Sequence, residues 1–267
     1  MVEPGPGTGK ELQTRAVIGV ALIAVAVAAL IAGGPLFWVL ASVAGMLMQG
    51  EWADLANASA SDRRMSLFAI SVPLAILSPF AAGPSYIAFA LMAAAFLFVA
   101  VVSRSARLGA GIYYVGLPVL ALLYLRNQEQ GLLLAFWALG LVWATDIGAY
   151  FTGRSLGGPK LAPAISPSKT WSGLGGGVVA ALLFGFILHN LLGLPIRLAA
   201  ASGFLAVVAQ LGDLFESWIK RRFHVKDTSS LIPGHGGLLD RLDGVLAASP
   251  AAALLGVLLG PGEALWH

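Results

Sequence analysis

The chain has 267 residues, of which 58% are hydrophobic and 11% are charged, and its formal net charge is +3. Its mean hydropathy is +0.85. Soluble domains carry about 25% charged residues, so a chain this apolar cannot cover a water-facing surface and is expected to lie in a bilayer. The absence of cysteine excludes disulfides, thiolate metal sites and a cysteine nucleophile.

Apolar segments follow one another along the whole chain, and each is a candidate transmembrane helix, since a helix needs about 20 apolar residues to cross the hydrocarbon core. They cover roughly residues 16–33, 35–50, 65–82, 84–102, 109–125, 131–151, 173–193, 195–215 and 237–259. The first segment follows a polar leader and is long enough to span, so we expect a retained helix rather than a signal peptide. The pattern predicts an all-α, polytopic membrane helix bundle with about nine transmembrane helices.

The two parts of the chain differ in polarity. Residues 1–130 are mostly apolar and rich in Ala and Leu, whereas residues 140–245 hold nearly all the polar groups near membrane depth. We therefore expect residues 1–130 to form N-terminal scaffold helices and residues 131–267 to form the catalytic region. No acid lies within the predicted spans of the first part.

Lys and Arg residues are distributed unequally between the two sides of the predicted bundle. With nine spans, the N-terminus and the loops after spans 2, 4, 6 and 8 carry 13 of them, and the other side carries Arg126 and Arg197. Basic loops stay in the cytoplasm, so the N-terminus is predicted to be cytoplasmic. The expected location is the inner (plasma) membrane, with any site at these loops facing the cytoplasm.

Acidic residues concentrate at the predicted cytoplasmic ends of three helices. Asp146 lies near the end of span 6, Asp213 and Glu216 at the end of span 8, and Asp240 and Asp243 in the first turns of span 9. Residues three apart share one face of a helix, so each pair places like charges side by side. A carboxylate in a span is costly and usually faces a partner or a water-filled cavity.

These acids suggest a metal site. A divalent cation relieves repulsion between close carboxylates, and a set of oxygen ligands without cysteine favours Mg²⁺. A plain alternative is that each acid pairs with a neighbouring base such as Lys220, Arg221 or Arg241. Because several acids converge from separate spans, we favour the metal site. Its predicted ligands are Asp213, Glu216, Asp240 and Asp243.

Basic and glycine-rich residues separate the two acidic pairs. The run Lys220–Asp227 could be an inside flank that touches anionic headgroups, or it could clamp phosphate. The segment Pro233–Gly237 then opens span 9, where backbone N–H groups and the helix N-terminus favour an anion. His235 alone is more often structural, but the combined pattern predicts a site for polyphosphate and metal.

The loop after span 6 has two possible functions. Ser166, Lys169 and Thr170 precede the apolar span 7 and could cap that helix. They could equally hold the phosphate or base of a nucleotide, and the residues alone leave both possibilities open.

Two blocks of the sequence resemble the phosphatidate cytidylyltransferase (CDP-diacylglycerol synthase) family. One is Ser217-x-Ile219-Lys220-Arg221, Lys226-Asp227, Ile232–Gly237 and Asp240–Asp243, without a gap. The other is Asp146, Ala149-Tyr150, Gly153-Arg154, Ser166-Pro167, Lys169–Trp171 and Gly173. The sequence departs from the family pattern at Ser168, usually lysine, and at Ser172, usually glutamate. The resemblance covers about residues 140–245.

The resemblance implies a transferase that uses CTP and phosphatidic acid to make CDP-diacylglycerol and pyrophosphate for phospholipid biosynthesis. Asp213, Asp240 and Asp243 would hold Mg²⁺, with room for a second cation. Asp227, Glu216 and His235 would be further ligands or orienting groups. The groups that neutralise lipid phosphate and triphosphate would be Lys220, Arg221, Lys226 and Arg241. The nucleotide side would be formed by Asp146, Ser166, Lys169, Thr170, Gly234, His235, Gly236 and Gly237.

Expected partners are CTP, phosphatidic acid and membrane lipids, without nucleic acid, and the resemblance implies a homodimer. A CTP-dependent polyprenol or phytol kinase is the nearest alternative, because such enzymes are also polytopic and handle phosphate. An ion-coupled transporter is disfavoured, since transport predicts acids near the bilayer midplane in both halves.

Overall fold

A computed structural model describes residues 9–232 and 236–259 of the chain. Within these ranges the chain forms nine α-helices and one short two-stranded sheet. The elements, in order, are α1 (Gly9–Ala32), α2 (Gly34–Leu55), α3 (Ala60–Ile76), α4 (Tyr86–Val102), α5 (Ala106–Arg126), α6 (Gly131–Leu156), β1 (Lys160–Ala162), β2 (Ser166–Thr170), α7 (Trp171–Leu192), α8 (Ile196–Arg222) and α9 (Leu239–Leu259).

Each predicted apolar segment corresponds to one helix of the bundle. The main differences lie at helix ends: α6 continues to Leu156 and α8 to Arg222, past the predicted ends at 151 and 215. The helical backbone continues there through polar residues that an apolar window does not count. Of the described helices, α5 to α9 are long and apolar enough to cross a membrane. For α1 to α4 the number of spans stays a prediction.

The short sheet is an addition to the all-α prediction. β1 pairs antiparallel with β2, and Lys160 lies opposite Thr170. Pro163 and Pro167 disfavour helix in this stretch, because proline lacks the backbone N–H that a helix interior needs. Pairing two extended segments satisfies other backbone groups of the loop and places Lys169 next to Thr170, the residue that precedes α7.

Small residues let the helices around the polar region approach closely. A Cβ atom on Gly148 of α6 would lie 2.5 Å from the Cβ of Ala180 in α7. A Cβ on Gly212 of α8 would lie 2.5 Å from the Cβ of Ala247 and 2.8 Å from the carbonyl oxygen of Asp243 in α9. Close backbone approach is the usual basis of helix association in membranes. Here it brings the acidic ends of α6, α8 and α9 together.

Contacts between loops show which helix ends share one side of the bundle. Trp52 donates a hydrogen bond to the Arg107 carbonyl (2.9 Å), and the Arg107 guanidinium lies 5.0 Å from the centre of the Phe223 ring. Arg221 donates to the Ile165 carbonyl at 3.5 Å. The ends of α2, α4, α6 and α8 therefore meet, as the predicted topology requires.

The other end of the bundle has its own polar contact. Arg126, at the end of α5, donates hydrogen bonds to the carbonyls of Leu30 (2.9 Å) and Ile31 (3.2 Å) at the end of α1. Carbonyls in the last turn of a helix lack intrahelical partners, so the guanidinium satisfies them.

Candidate active site at the gathered helix ends

A cavity of about 480 Å³ opens between α6, β2, α7 and α8. Its lining includes the predicted residues Asp146, Lys169, Thr170 and Asp213. Lys169 forms an ion pair with Asp213, and the carboxylate of Asp146 interacts electrostatically with both side chains. The cavity therefore joins residues that lie far apart in the sequence into one polar site.

The end of β2 explains how Lys169 reaches this cavity. Thr170 is the N-cap of α7, and its hydroxyl accepts a hydrogen bond from the backbone N–H of Gly173 at 3.1 Å. Of the two functions left open for this loop, Thr170 performs the helix cap. Lys169, one residue earlier, extends into the cavity. Ser166 starts β2 opposite Ala162 and is not among the described lining residues.

Asp243 adds a third carboxylate from α9. It interacts electrostatically with Asp213, Asp146 and Lys169. Its Oδ1 atom accepts a hydrogen bond from the N–H of Gly244 at 2.6 Å. Aspartates from three helices thus share one electrostatic environment with Lys169. Within the described ranges, no three acidic or histidine side chains are close enough to hold a metal ion by themselves.

The other predicted acids bind a different lysine. Lys220 Nζ lies 2.9 Å from Glu216 and 2.8 Å from Asp240. These side chains are largely buried, at 16% exposure for Lys220, 2% for Glu216 and 4% for Asp240. The plain ion pair considered for single acids is therefore the arrangement found at Glu216 and Asp240. Glu216 also interacts electrostatically with Asp243, which links this cluster to the acids around Lys169.

Asp240 organises the segment that leads into α9. Its Oδ1 atom accepts from Lys220, and its Oδ2 atom accepts from the N–H and hydroxyl of Thr228 at 2.8 and 2.9 Å and from the N–H of Gly237 at 2.8 Å. Gly236 has a φ of +83°, which glycine adopts at little cost, and its carbonyl accepts a hydrogen bond from the Ile232 N–H.

The remaining predicted residues either lie at the surface near these two lysines or lie outside the residues that the structure describes. Arg221, Lys226, Asp227 and Arg241 are exposed at the same end of the bundle. Gly234 and His235 lie outside the described residues, so their assigned functions stay predictions.

Glu51 is a site residue that sequence reasoning missed. It lies near the end of α2, is 4% exposed and accepts hydrogen bonds from residues that precede and begin α9. Its sequence neighbours carry no motif, and it stands just after a predicted span. Only contacts across the fold identify it.

These features define a class. A multi-spanning helical protein that gathers carboxylates, buried lysines and an exposed basic segment at one end is built as a membrane-embedded enzyme that acts on phosphate groups. A family model described as the cytidylyltransferase family matches residues 13–259. The chain belongs to this family.

Several relatives that share the name phosphatidate cytidylyltransferase are similar to this chain, two of them over nearly its whole length. The phosphatidate cytidylyltransferase of Brucella abortus (biovar 1, strain 9-941) is 36% identical over 260 residues, which cover 95% of this chain and 96% of the relative. The enzyme of the same name from Rickettsia felis is 28% identical over 258 residues (93% and 94%). That of Bacillus subtilis (strain 168) is 46% identical over 141 residues, about half of each chain (51% and 52%).

Proposed function

We propose that this chain is a phosphatidate cytidylyltransferase, which transfers the cytidylyl group of CTP to phosphatidic acid and releases pyrophosphate. The observation that carries this proposal is the cavity in which Asp146, Asp213 and Lys169 meet from different elements, with Lys169 paired to Asp213. Family membership and the full-length relatives from Brucella and Rickettsia support the same activity.

The reaction needs no nucleophile from the protein. A phosphate oxygen of phosphatidic acid forms a bond to the α-phosphorus of CTP. The bond from that phosphorus to the oxygen that bridges the α- and β-phosphates breaks, and pyrophosphate leaves with the electron pair. The protein must bring two anions together and stabilise the charge that develops, which makes positioning and electrostatics the main catalytic contributions.

The donor set suits Mg²⁺ bound jointly by protein and substrate. Mg²⁺ is usually held by one or two carboxylates together with substrate phosphates, so three clustered acids are not required. Asp213 and Asp243 would hold it, and when bound it neutralises phosphate charge. Asp146 and Lys169 would face the nucleotide. We also propose that a second cation binds at the same site.

The basic residues divide into two groups in this proposal. Lys220 is engaged by Glu216 and Asp240, so it orders the start of α9. Arg221, Lys226 and Arg241 are exposed at the same end and would neutralise the phosphates of lipid and nucleotide. A cytoplasmic N-terminus, a site at headgroup level on that side and a homodimer complete the proposal.

The test is an assay of purified protein with CTP labelled in the cytidine, phosphatidic acid and Mg²⁺. We expect label in a lipid product and pyrophosphate in equal amount, with activity lost in EDTA and restored by Mg²⁺. A CTP-dependent lipid kinase would instead transfer only the γ-phosphate and leave the lipid without cytidine. That result would overturn the proposal.

Variants locate the metal within the same assay. Asp213→Asn and Asp243→Asn are expected to raise the Mg²⁺ concentration for half-maximal activity and to lower turnover by about 100-fold. Glu129→Gln, an exposed acid between α5 and α6, is the control and should behave as wild type. Unchanged turnover of Asp213→Asn at limiting Mg²⁺ would remove Asp213 from the metal site.

A further inference from the structure

The buried carboxylate of Glu51 joins the first part of the chain to the start of α9. Oε1 accepts from the Ser229 hydroxyl at 2.6 Å and the Leu238 N–H at 2.9 Å, and Oε2 accepts from the Leu239 N–H at 2.8 Å. A carboxylate near the C-terminal end of its own helix meets an unfavourable dipole and loses its hydration. Glu51 is stabilised instead by the N-terminus of another helix.

Glu51 and Asp240 act on the same short segment. Glu51 binds the backbone N–H groups of Leu238 and Leu239, while Asp240 binds that of Gly237. Thr228 lies between the two acids, with its hydroxyl 2.9 Å from Asp240 and 3.4 Å from Glu51. Three consecutive N–H groups are thus divided between two carboxylates from different helices.

Gly237 shows how tightly this segment is held. A Cβ atom at Gly237 would overlap the hydroxyl of Thr228 and would lie 2.9 Å from each carboxylate oxygen of Glu51. A side chain at this position would therefore push the segment away from Glu51, which explains the need for glycine here.

We propose that Glu51 is a positioning residue for the carboxylates of α9. It fixes the first turn of that helix, and Asp243 lies in the next turn, where its backbone packs against Gly212, the neighbour of Asp213. The inference rests on the proposed cytidylyl transfer and adds that α2, from the predicted scaffold, is required to place the site. Glu51 itself does not touch the reacting groups.

The test compares Glu51→Gln with Asp54→Asn. Glutamine keeps the size of Glu51, but its amide NH₂ cannot accept a hydrogen bond from a backbone N–H. Asp54 lies on the same helix, and its side chain is 56% exposed beside Arg63, so it controls for lost charge. We expect Glu51→Gln to lower kcat about 10–100-fold, as loss of a supporting hydrogen-bond partner does at metal sites. Asp54→Asn should stay within about twofold, as exposed ion pairs contribute little.

Two further measurements separate positioning from a general loss of folding. The affinity for CTP in the presence of Mg²⁺, measured by calorimetry, should be lower in Glu51→Gln than in the wild type. This measurement does not depend on catalytic turnover. Gly237→Ala should produce the same defect, and the double variant should be no worse than either single variant, because both changes disrupt one contact. Ser229→Ala removes a single donor and provides a milder variant should Glu51→Gln fail to fold.

The outcomes are distinct. Wild-type kcat and CTP affinity in Glu51→Gln, or an equal loss in Asp54→Asn, would overturn the inference, as would unchanged behaviour of Ser229→Ala and Gly237→Ala. If the wild-type protein makes no CDP-diacylglycerol, the proposed function fails instead. An active wild type with unaffected Glu51 variants would refute the positioning function alone.

Discussion

Lys169 lies among carboxylates that would repel one another without a nearby cation. It pairs with Asp213 and interacts with Asp146 and Asp243. In the proposed reaction the same lysine would contact an incoming phosphate, since it lines the cavity with Asp146 and Asp213. Its ammonium group can therefore serve both to hold the acids together and to receive substrate.

Replacing Lys169 tests this double function. We expect Lys169→Met to lower kcat with CTP by about 100-fold or more, comparable to loss of one electrostatic donor in a transition state. The measurement is steady-state kinetics with CTP and phosphatidic acid. Lys160→Met is the matched control, because Lys160 lies on the neighbouring strand opposite Thr170, but its side chain is exposed and is not among the described residues that line the cavity. Turnover within twofold of wild type in Lys169→Met would contradict the assignment.

Some residues of the site could be predicted from sequence and others could not. Asp213, Asp240 and Asp243 stand out because acids near apolar spans are rare, and because each of two helices carries a pair of acids three residues apart on one face. The difference between Asp243, which interacts electrostatically with Asp213, and Asp240, which is bound to Lys220, depends on how α8 and α9 pack. Glu51 has partners up to 188 residues away. No local pattern contains that information.

At the scale of elements, glycine contacts control how closely the site helices approach. The backbones of α6 and α7 touch near Gly148, where a Cβ would lie 2.7 Å from the carbonyl oxygen of Gly176. Residues of both helices line the cavity, so the distance between α6 and α7 affects its width. Helix position could be predicted from hydropathy, whereas this spacing could not.

An added methyl group tests that packing. Gly148→Ala is expected to destabilise the protein by about 1–3 kcal/mol, the usual cost of overpacking, and to lower the midpoint of thermal unfolding in detergent. Gly175→Ala is the control, since no atom lies within 4 Å of the Cβ it would add. That variant should match or slightly exceed wild-type stability, because alanine favours helix. Equal midpoints for both variants would show that the α6–α7 contact tolerates a side chain.

At the scale of the whole molecule, the loops that carry most of the basic residues meet at one end of the bundle. Arg126 lies at the opposite end, where it donates a hydrogen bond to the Leu30 carbonyl. This grouping arises because successive helices run in opposite directions, so every second loop lies at the same end. The spacing of the apolar segments predicts this arrangement. The hairpin after α6 escaped prediction, because its structure depends on prolines and strand pairing at a water-exposed loop rather than on apolar periodicity.

The absence of cysteine makes the orientation directly measurable. Ala164→Cys, in the exposed turn of the hairpin, should react with a membrane-impermeant thiol reagent only after inside-out vesicles are prepared. Glu129→Cys, exposed between α5 and α6, should react in intact cells. Positive-inside placement gives this expectation. The reverse labelling pattern would invert the proposed topology.

The bond between Glu51 and the start of α9 also has a consequence for biogenesis. The partners of Glu51 are 177 to 188 residues further along the chain. At about 5–20 residues per second, a ribosome needs roughly 10–40 s to reach them after making Glu51. During that interval the acid has none of these partners, and α2 must wait beside the translocon or in the bilayer until α9 arrives. A chain that stops before α9 would carry an uncompensated charge, a feature by which membrane quality control could distinguish unfinished copies from complete ones.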